Sequence, residues 1–257
     1  MSGSATHYVP ALRFHWLTRF YDLLLRATLK EERFKATLVA QAAPRGGDRV
    51  LDLGCGTGTL TLIVKRACPG AHVAGLDGDP AILALARGKA EAENLAVEFR
   101  EGLATDPPFS AESFDRVVSS LLFHHLIPAD KRRSLRKVFE LLKPGGQLHV
   151  ADWGRPHDPL MRAAFLAVQA LDGFATTADS VRGMLPRYME EAGFRPVAET
   201  HRVRTVFGTL ALYRAVKPQH ASTSREAMRM NADGVEAAEI RRWVEDRFAP
   251  RRGERAH

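Results

Sequence analysis

The sequence predicts an α/β protein built on a mostly parallel sheet with helices on both faces. Three observations carry that prediction. Apolar runs alternate with helical stretches from Asp48 to Ala151, the pattern of successive strand–helix–strand units. One run, Val50-Leu51-Asp52-Leu53, turns through Gly54-Cys55-Gly56-Thr57-Gly58 into a helix-forming stretch. Asp77 follows 19 residues after Gly58, at the end of a second apolar run, His72-Val73-Ala74-Gly75-Leu76.

Glycines at alternate positions let the backbone turn tightly and let a ligand lie against bare peptide. An acid at position 77 can accept hydrogen bonds from both hydroxyls of a ribose resting on that turn. The first two strands therefore read as a nucleoside site. The dinucleotide fingerprint G-x-G-x-x-G would place its third glycine at position 59, where the chain has Thr59.

The elements follow in order. Residues 11–43 read as an amphipathic helix, with Phe14, Leu17, Tyr21 and Leu24 on one face, broadened by Trp16, Phe20 and Leu23. Its arginines are left for water, so it reads as a lid packed on the domain or as a helix resting on lipid, and the two readings are compatible. Pro44-Arg45-Gly46-Gly47 ends it. Strands are expected at 48–53, 71–76, 96–100, 114–119 and 146–151, and helices at 58–67, 80–93 and 130–142. Lys143-Pro144-Gly145-Gly146 stops the last of these. Helices at 159–171 and 179–192 and a hairpin of strands at 196–203 and 207–215 complete a domain over 44–217. Residues 218–257 are polar, with eight Lys/Arg and seven Asp/Glu, and read as a mobile tail with one amphipathic helix around 234–247.

The glycine spacing, with Asp52 before it, resembles motif I of the class I S-adenosylmethionine-dependent methyltransferases. Further segments are similar to the ubiquinone/menaquinone-biosynthesis C-methyltransferase branch of that family. They are Ser113-Phe114-Asp115-Arg116-Val117-Val118-Ser119-Ser120, the turn Phe123-His124-His125-Leu126, the run from Leu141 to Leu148 followed by Ala151-Asp152, and the strand from Gly208 to Ala215. The resemblance covers about residues 15–216. It implies a Rossmann-like class I methyltransferase fold with a seven-stranded sheet, and S-adenosyl-L-methionine as cofactor. It implies that Asp52, Gly54, Cys55, Gly56 and Gly58 lie under the methionine and ribose, with Asp77 on the ribose hydroxyls and Gly78 along the adenine. Ser119 and Ser120 would face the methionine half. The family often places an acid after the third strand to hold the adenine amino group. Here that turn reads Gly102-Leu103-Ala104, so Leu103 and Ala104 stand at the base and Asp106 is an alternative partner from the next turn.

Methyl transfer depends chiefly on placing the acceptor behind the methyl carbon. A phenol or quinol acceptor also benefits from a general base, and histidine titrates in the useful range. His124 and His125 stand at the carboxyl end of the fourth strand, where open α/β sheets carry ligands, with His124 favoured as the base. Asp152 could orient the acceptor or its base, and Tyr21 could reach in from the lid. Shaping the turn, a surface acid and a packed tyrosine are the structural alternatives. His149 reads as a satisfied core histidine, and the other histidines show no ligand spacing, so no metal is inferred.

The expected acceptor is a small or lipophilic molecule, quinol-like aromatics first and lipid headgroups second. Two other functions fit less of the chain. A silent S-adenosylmethionine binder rests on Leu103 alone. An RNA methyltransferase rests on the net charge of +7, but no arm of basic and aromatic residues is present. Asp106-Pro107-Pro108-Phe109 has the form of a base-stacking signature but precedes the fourth strand. With two cysteines, no secretory leader and no apolar run of roughly 18 residues, the chain is expected to be cytoplasmic, with peripheral membrane contact through the N-terminal helix as an option. The sequence leaves the oligomeric state open.

Overall fold

The computed structural model describes residues 31–219 and 230–248. The helix expected over 11–43 is seen from Glu31 to Ala42 (α1); Tyr21 and the apolar face around it lie outside the described residues. The sheet comprises β1 (Arg49–Leu53), β2 (His72–Asp77), β3 (Glu98–Glu101), β4 (Phe114–Ser120), β5 (Leu142–Trp153), β6 (Val197–Thr205) and β7 (Gly208–Val216). Their order is β3-β2-β1-β4-β5-β7-β6, all parallel except β7, which runs antiparallel to both neighbours. The order reverses between β1 and β4, so the crevice at their carboxyl ends is where such sheets take a ligand.

The linking helices are α2 (Thr59–Ala67), α3 (Pro80–Ala92), α4 (Pro128–Leu141), α5 (Pro159–Asp172), α6 (Phe174–Arg182) and α7 (Leu185–Glu191). Side chains alternate across each strand, so Val50 and Val118 feed one core while Leu51 and Val117 feed the other. The first core joins the sheet to α1, α2 and α5 through Leu38, Ile63 and Phe165. The second joins it to α4 and α7 through Leu135, Val138, Leu185 and Tyr188.

Three elements differ from expectation for local reasons. The helix expected over 179–192 is two helices, because Gly183 adopts φ +67° and its N–H closes on the carbonyls of Asp179 and Ser180. Pro186 then suits the first turn of α7. Strand β5 begins at Leu142 rather than 146, with Lys143–Gly146 bulged out between its pairings with Phe114 and Arg116. The helix expected around 234–247 in the polar tail is longer, running from Met230 to Phe248 (α8). Ile240 and Val244 are buried there and Trp243 packs on the first core, because the three fall on one helical face. Among the described residues no helix is long and apolar enough to cross a membrane.

Candidate active site

Parallel pairing of Leu53 with Leu76 sets the glycine turn beside the end of β2. The N–H groups of Gly54 and Cys55 both donate to the Leu76 carbonyl at 2.9 Å. The Gly56 N–H donates to Asp77 Oδ2 at 2.9 Å, and the Asp79 N–H to Asp77 Oδ1 at 3.1 Å. Asp77 is thus fixed at the mouth of the turn, half-buried beside Gly78. Among the described residues, a Cβ built on Gly56 meets nothing within 4 Å, so they leave open space over the middle of the turn. Lys89 holds the far side, donating to the Thr57 carbonyl and hydroxyl at 3.0 and 2.8 Å.

Asp52 is wholly buried under this turn. Its Oδ2 accepts from Thr61 Oγ1 at 2.6 Å, and its Oδ1 has no hydrogen-bond partner among the described residues. Burial pushes its pKa up to about 6. The Cys55 thiol is also buried and pushed far up, first by burial and then by Asp52 and Asp77, so it is an inert packing group. Ser119 is buried, and its hydroxyl donates to the Leu53 carbonyl at 2.8 Å, tying β4 to β1. Ser120 is half-buried at the strand end. Leu103 is exposed and pairs with Asp106 in a tight turn, with Ala104 half-buried between them, so an apolar surface stands where the family often has an acid.

The second half of the site lies at the ends of β4 and β5. After β4 the chain enters a single 3₁₀ turn, Phe123–His125. Asp152, near the end of β5, accepts from the Phe123 N–H at 2.7 Å and the Trp153 N–H at 2.7 Å, and meets His124 Nδ1 at 2.8 Å. Burial opposes its charge, but His124 and these donors prevail and lower its pKa, so Asp152 is a carboxylate. Nδ1 of His124 therefore carries the proton it shares with Asp152. Burial pulls the His124 pKa down, yet the charges of Asp152 and Asp172 outweigh it and the net shift is upward. His125 stacks 3.9 Å from His124 and is pushed down by burial and by the His124 charge, although 35% of its side chain is open to solvent.

Four residues of this half were missed from the sequence. Asp172, the last residue of α5, faces both rings, 3.6 Å from His124 Nε2 and 4.0 Å from His125 Nδ1. Spacing alone implied no metal ligands, but the fold brings ligand atoms of His124, His125 and Asp172 within 4.8 Å of one another. An acid at a helix carboxyl end opposes the helix dipole, a signal that could have singled Asp172 out. Lys131 is buried on α4, donating to the Thr176 carbonyl at 2.6 Å and pairing with Asp179 at 3.5 Å. The Tyr188 hydroxyl donates to the same Asp179 at 2.9 Å. Phe123, His124, Asp152, Trp153, Leu185 and Tyr188 are among the walls of a cavity of about 10 Å³, room for one water.

Known proteins resemble the chain in sequence and in shape. A family model described as a methyltransferase domain matches residues 50–146. The chain is 33% identical over 181 residues to an uncharacterized methyltransferase of Synechocystis, covering 69% of this chain and 82% of that protein. It is 40% identical over 141 residues to a demethylmenaquinone methyltransferase of Thermus thermophilus, covering 53% of this chain and 62% of that one, just under two thirds of its length. In structure it is similar to Haemonchus contortus phosphoethanolamine N-methyltransferase 2 bound to S-adenosylhomocysteine, with a TM-score of 0.59 and 17% identity over 72% of this chain and 52% of that one. A likeness at that identity is one of fold.

Proposed function

Because the chain belongs to the class I S-adenosylmethionine-dependent methyltransferases, and is similar in sequence to menaquinone and ubiquinone C-methyltransferases, we propose that it methylates a small lipophilic acceptor, specifically a quinol-like aromatic. The cofactor is S-adenosylmethionine. The residues present suit it. Open space over Gly56 admits a nucleoside against bare peptide, and Asp77 stands where ribose hydroxyls would donate to it. The buried Asp52 Oδ1 lacks a partner, as befits a carboxylate answering the cationic amino-acid end.

Bound there, the cofactor supplies an electrophilic methyl on a sulfonium. The observation that carries the acceptor reading is His124, fixed by Asp152 at 2.8 Å beside a cavity at the ends of β4 and β5 that Phe123, Trp153, Leu185 and Tyr188 share with Lys131, Asp179 and Ser180. With Nδ1 engaged by Asp152, Nε2 is the nitrogen that takes the proton of an acceptor hydroxyl, and the Asp152 carboxylate balances the resulting charge. Phe123, Trp153, Leu185 and Tyr188 provide faces for a flat ring and exclude water. A cavity with room for one water is smaller than such a ring, so binding it requires these walls to part.

The test is incubation of the purified chain with S-adenosylmethionine and a reduced, demethylated naphthoquinol, with mass spectrometry of the product. The reading expects one added methyl. It also expects His124→Ala to lower kcat by about 10²- to 10⁴-fold with cofactor affinity unchanged. Cofactor binding without any methylated quinol would reject the acceptor class.

A further inference from the structure

We propose that His124, His125 and Asp172 bind a divalent first-row transition cation, with Asp152 as the outer carboxylate that orients His124. The residues come from two distant parts of the chain. His124 and His125 lie side by side in the 3₁₀ turn after β4, and Asp172 closes α5. The carboxylate faces both rings at once, Oδ2 toward His124 Nε2 at 3.6 Å and Oδ1 toward His125 Nδ1 at 4.0 Å. All three ligand atoms lie within 4.8 Å of one another. Ligand atoms about 2.0–2.2 Å from a tetrahedral ion stand roughly 3.3 Å apart, so modest side-chain rotations close the set.

The surroundings match a metal site in a second, independent way. A histidine ligand characteristically gives its other ring N–H to a carboxylate, which fixes the tautomer and aims the free nitrogen. Asp152 does this at His124 Nδ1, at 2.8 Å, and is itself held by the Phe123 and Trp153 amides. His124 and Asp172 are 5% and 2% exposed, whereas His125 is 35% exposed, so the ligand set is rigid inside and open on one side. That opening is an entry path.

The donor set selects the kind of ion. Two imidazoles and one carboxylate suit zinc, cobalt(II) or iron(II), whereas magnesium and calcium favour all-oxygen cages. Three protein ligands leave at least one position open, unlike a closed structural site. Occupancy would also engage His124 Nε2, the nitrogen assigned above to the acceptor's proton, so a bound cation inhibits transfer. That consequence rests on the proposed function; the binding itself does not.

The experiment uses cobalt(II) alone, titrated into full-length protein stripped with chelator and free of S-adenosylmethionine. The expected result is saturable one-to-one uptake with visible d–d absorption, displaced by zinc. His125→Ala and Asp172→Ser should weaken uptake roughly tenfold or more, and Asp152→Asn by about 10- to 100-fold. His157→Ala, on the surface against Thr209, should leave it unchanged. Calorimetric binding of S-adenosylmethionine to each variant verifies folding, and if Asp172→Ser fails that check, His125→Ala decides. Absence of saturable uptake, or equal uptake by wild type and His125→Ala, overturns the proposal while leaving the acceptor reading to its own product assay.

Discussion

Replacing Gly56 with alanine separates the glycine turn's role in folding from its role in binding. Gly56 has φ +53°, so an alanine there pays about 1 kcal/mol of left-handed strain. Its Cβ would touch nothing within 4 Å, so no clash adds to that cost. For a chain of this size the melting temperature should fall by only about 2–4 °C. The new methyl, however, occupies the space over the turn. Overpacking by one methyl costs about 1–3 kcal/mol, which weakens S-adenosylmethionine binding roughly five- to hundredfold. Gly54→Ala is the contrast. There φ is +71° and the Cβ would lie 2.8 Å from Leu122 Cδ1, so strain and a steric conflict both act inside the protein. That variant should lose more in melting temperature than Gly56→Ala and less in affinity. Thermal unfolding and isothermal calorimetry on the two proteins read both quantities. Wild-type affinity in a folded Gly56→Ala protein would refute the argument that cofactor lies against this turn.

Further outcomes follow from three buried groups. Burial raises Asp52 from its ordinary value to about 6, so the folded protein holds this proton more tightly than the unfolded chain. Its contribution to stability is therefore full below about pH 4 and is lost as pH rises to about 6, a change of about 3 kcal/mol that Asp52→Asn should remove from the stability–pH curve. If ionised Asp52 faces the cofactor's ammonium, affinity at pH 5 should be about tenfold below that at pH 7 in calorimetry, and flat in Asp52→Asn. Asp179→Ala leaves the Lys131 ammonium buried and removes the acceptor of Tyr188, which should cost about 3–5 kcal/mol in denaturant unfolding. Ile240→Ala should cost about 2–4 kcal/mol, since Ile240 anchors α8 in the first core.

The sheet and the placing of the glycine turn beside Asp77 were legible in the sequence because they depend on short-range signals. A strand, a glycine turn, a helix and an acid one strand later leave a pattern within thirty residues of chain, and β1, α2 and β2 fall where that pattern puts them. His124 and Asp152 were both visible as residues, but their contact arises only from the pairing of Ser120 with Ala151 that aligns the ends of β4 and β5. Asp172, Asp179 and Lys131 left weaker traces, since each lies on a helix whose polar residues ordinarily face water. Their burial comes from helices α5 to α7 folding over the strand ends. The bond of the Ser119 hydroxyl to the Leu53 carbonyl was not legible, because it depends on the spacing of β1 and β4. The helix in the tail was legible, and what the average polarity of that segment concealed is its docking on the first core through Ile240 and Trp243.

The most direct test of the central claim supplies S-adenosylmethionine carrying a tritiated methyl group to the purified chain together with whole-cell extract. The organic, aqueous and RNA fractions are then counted, with Asp77→Ala in parallel. The account predicts label in the organic fraction with the wild-type chain, and its loss in Asp77→Ala, whose carboxylate no longer receives the ribose. Label confined to RNA or to the aqueous fraction, or organic label undiminished in Asp77→Ala, would contradict it.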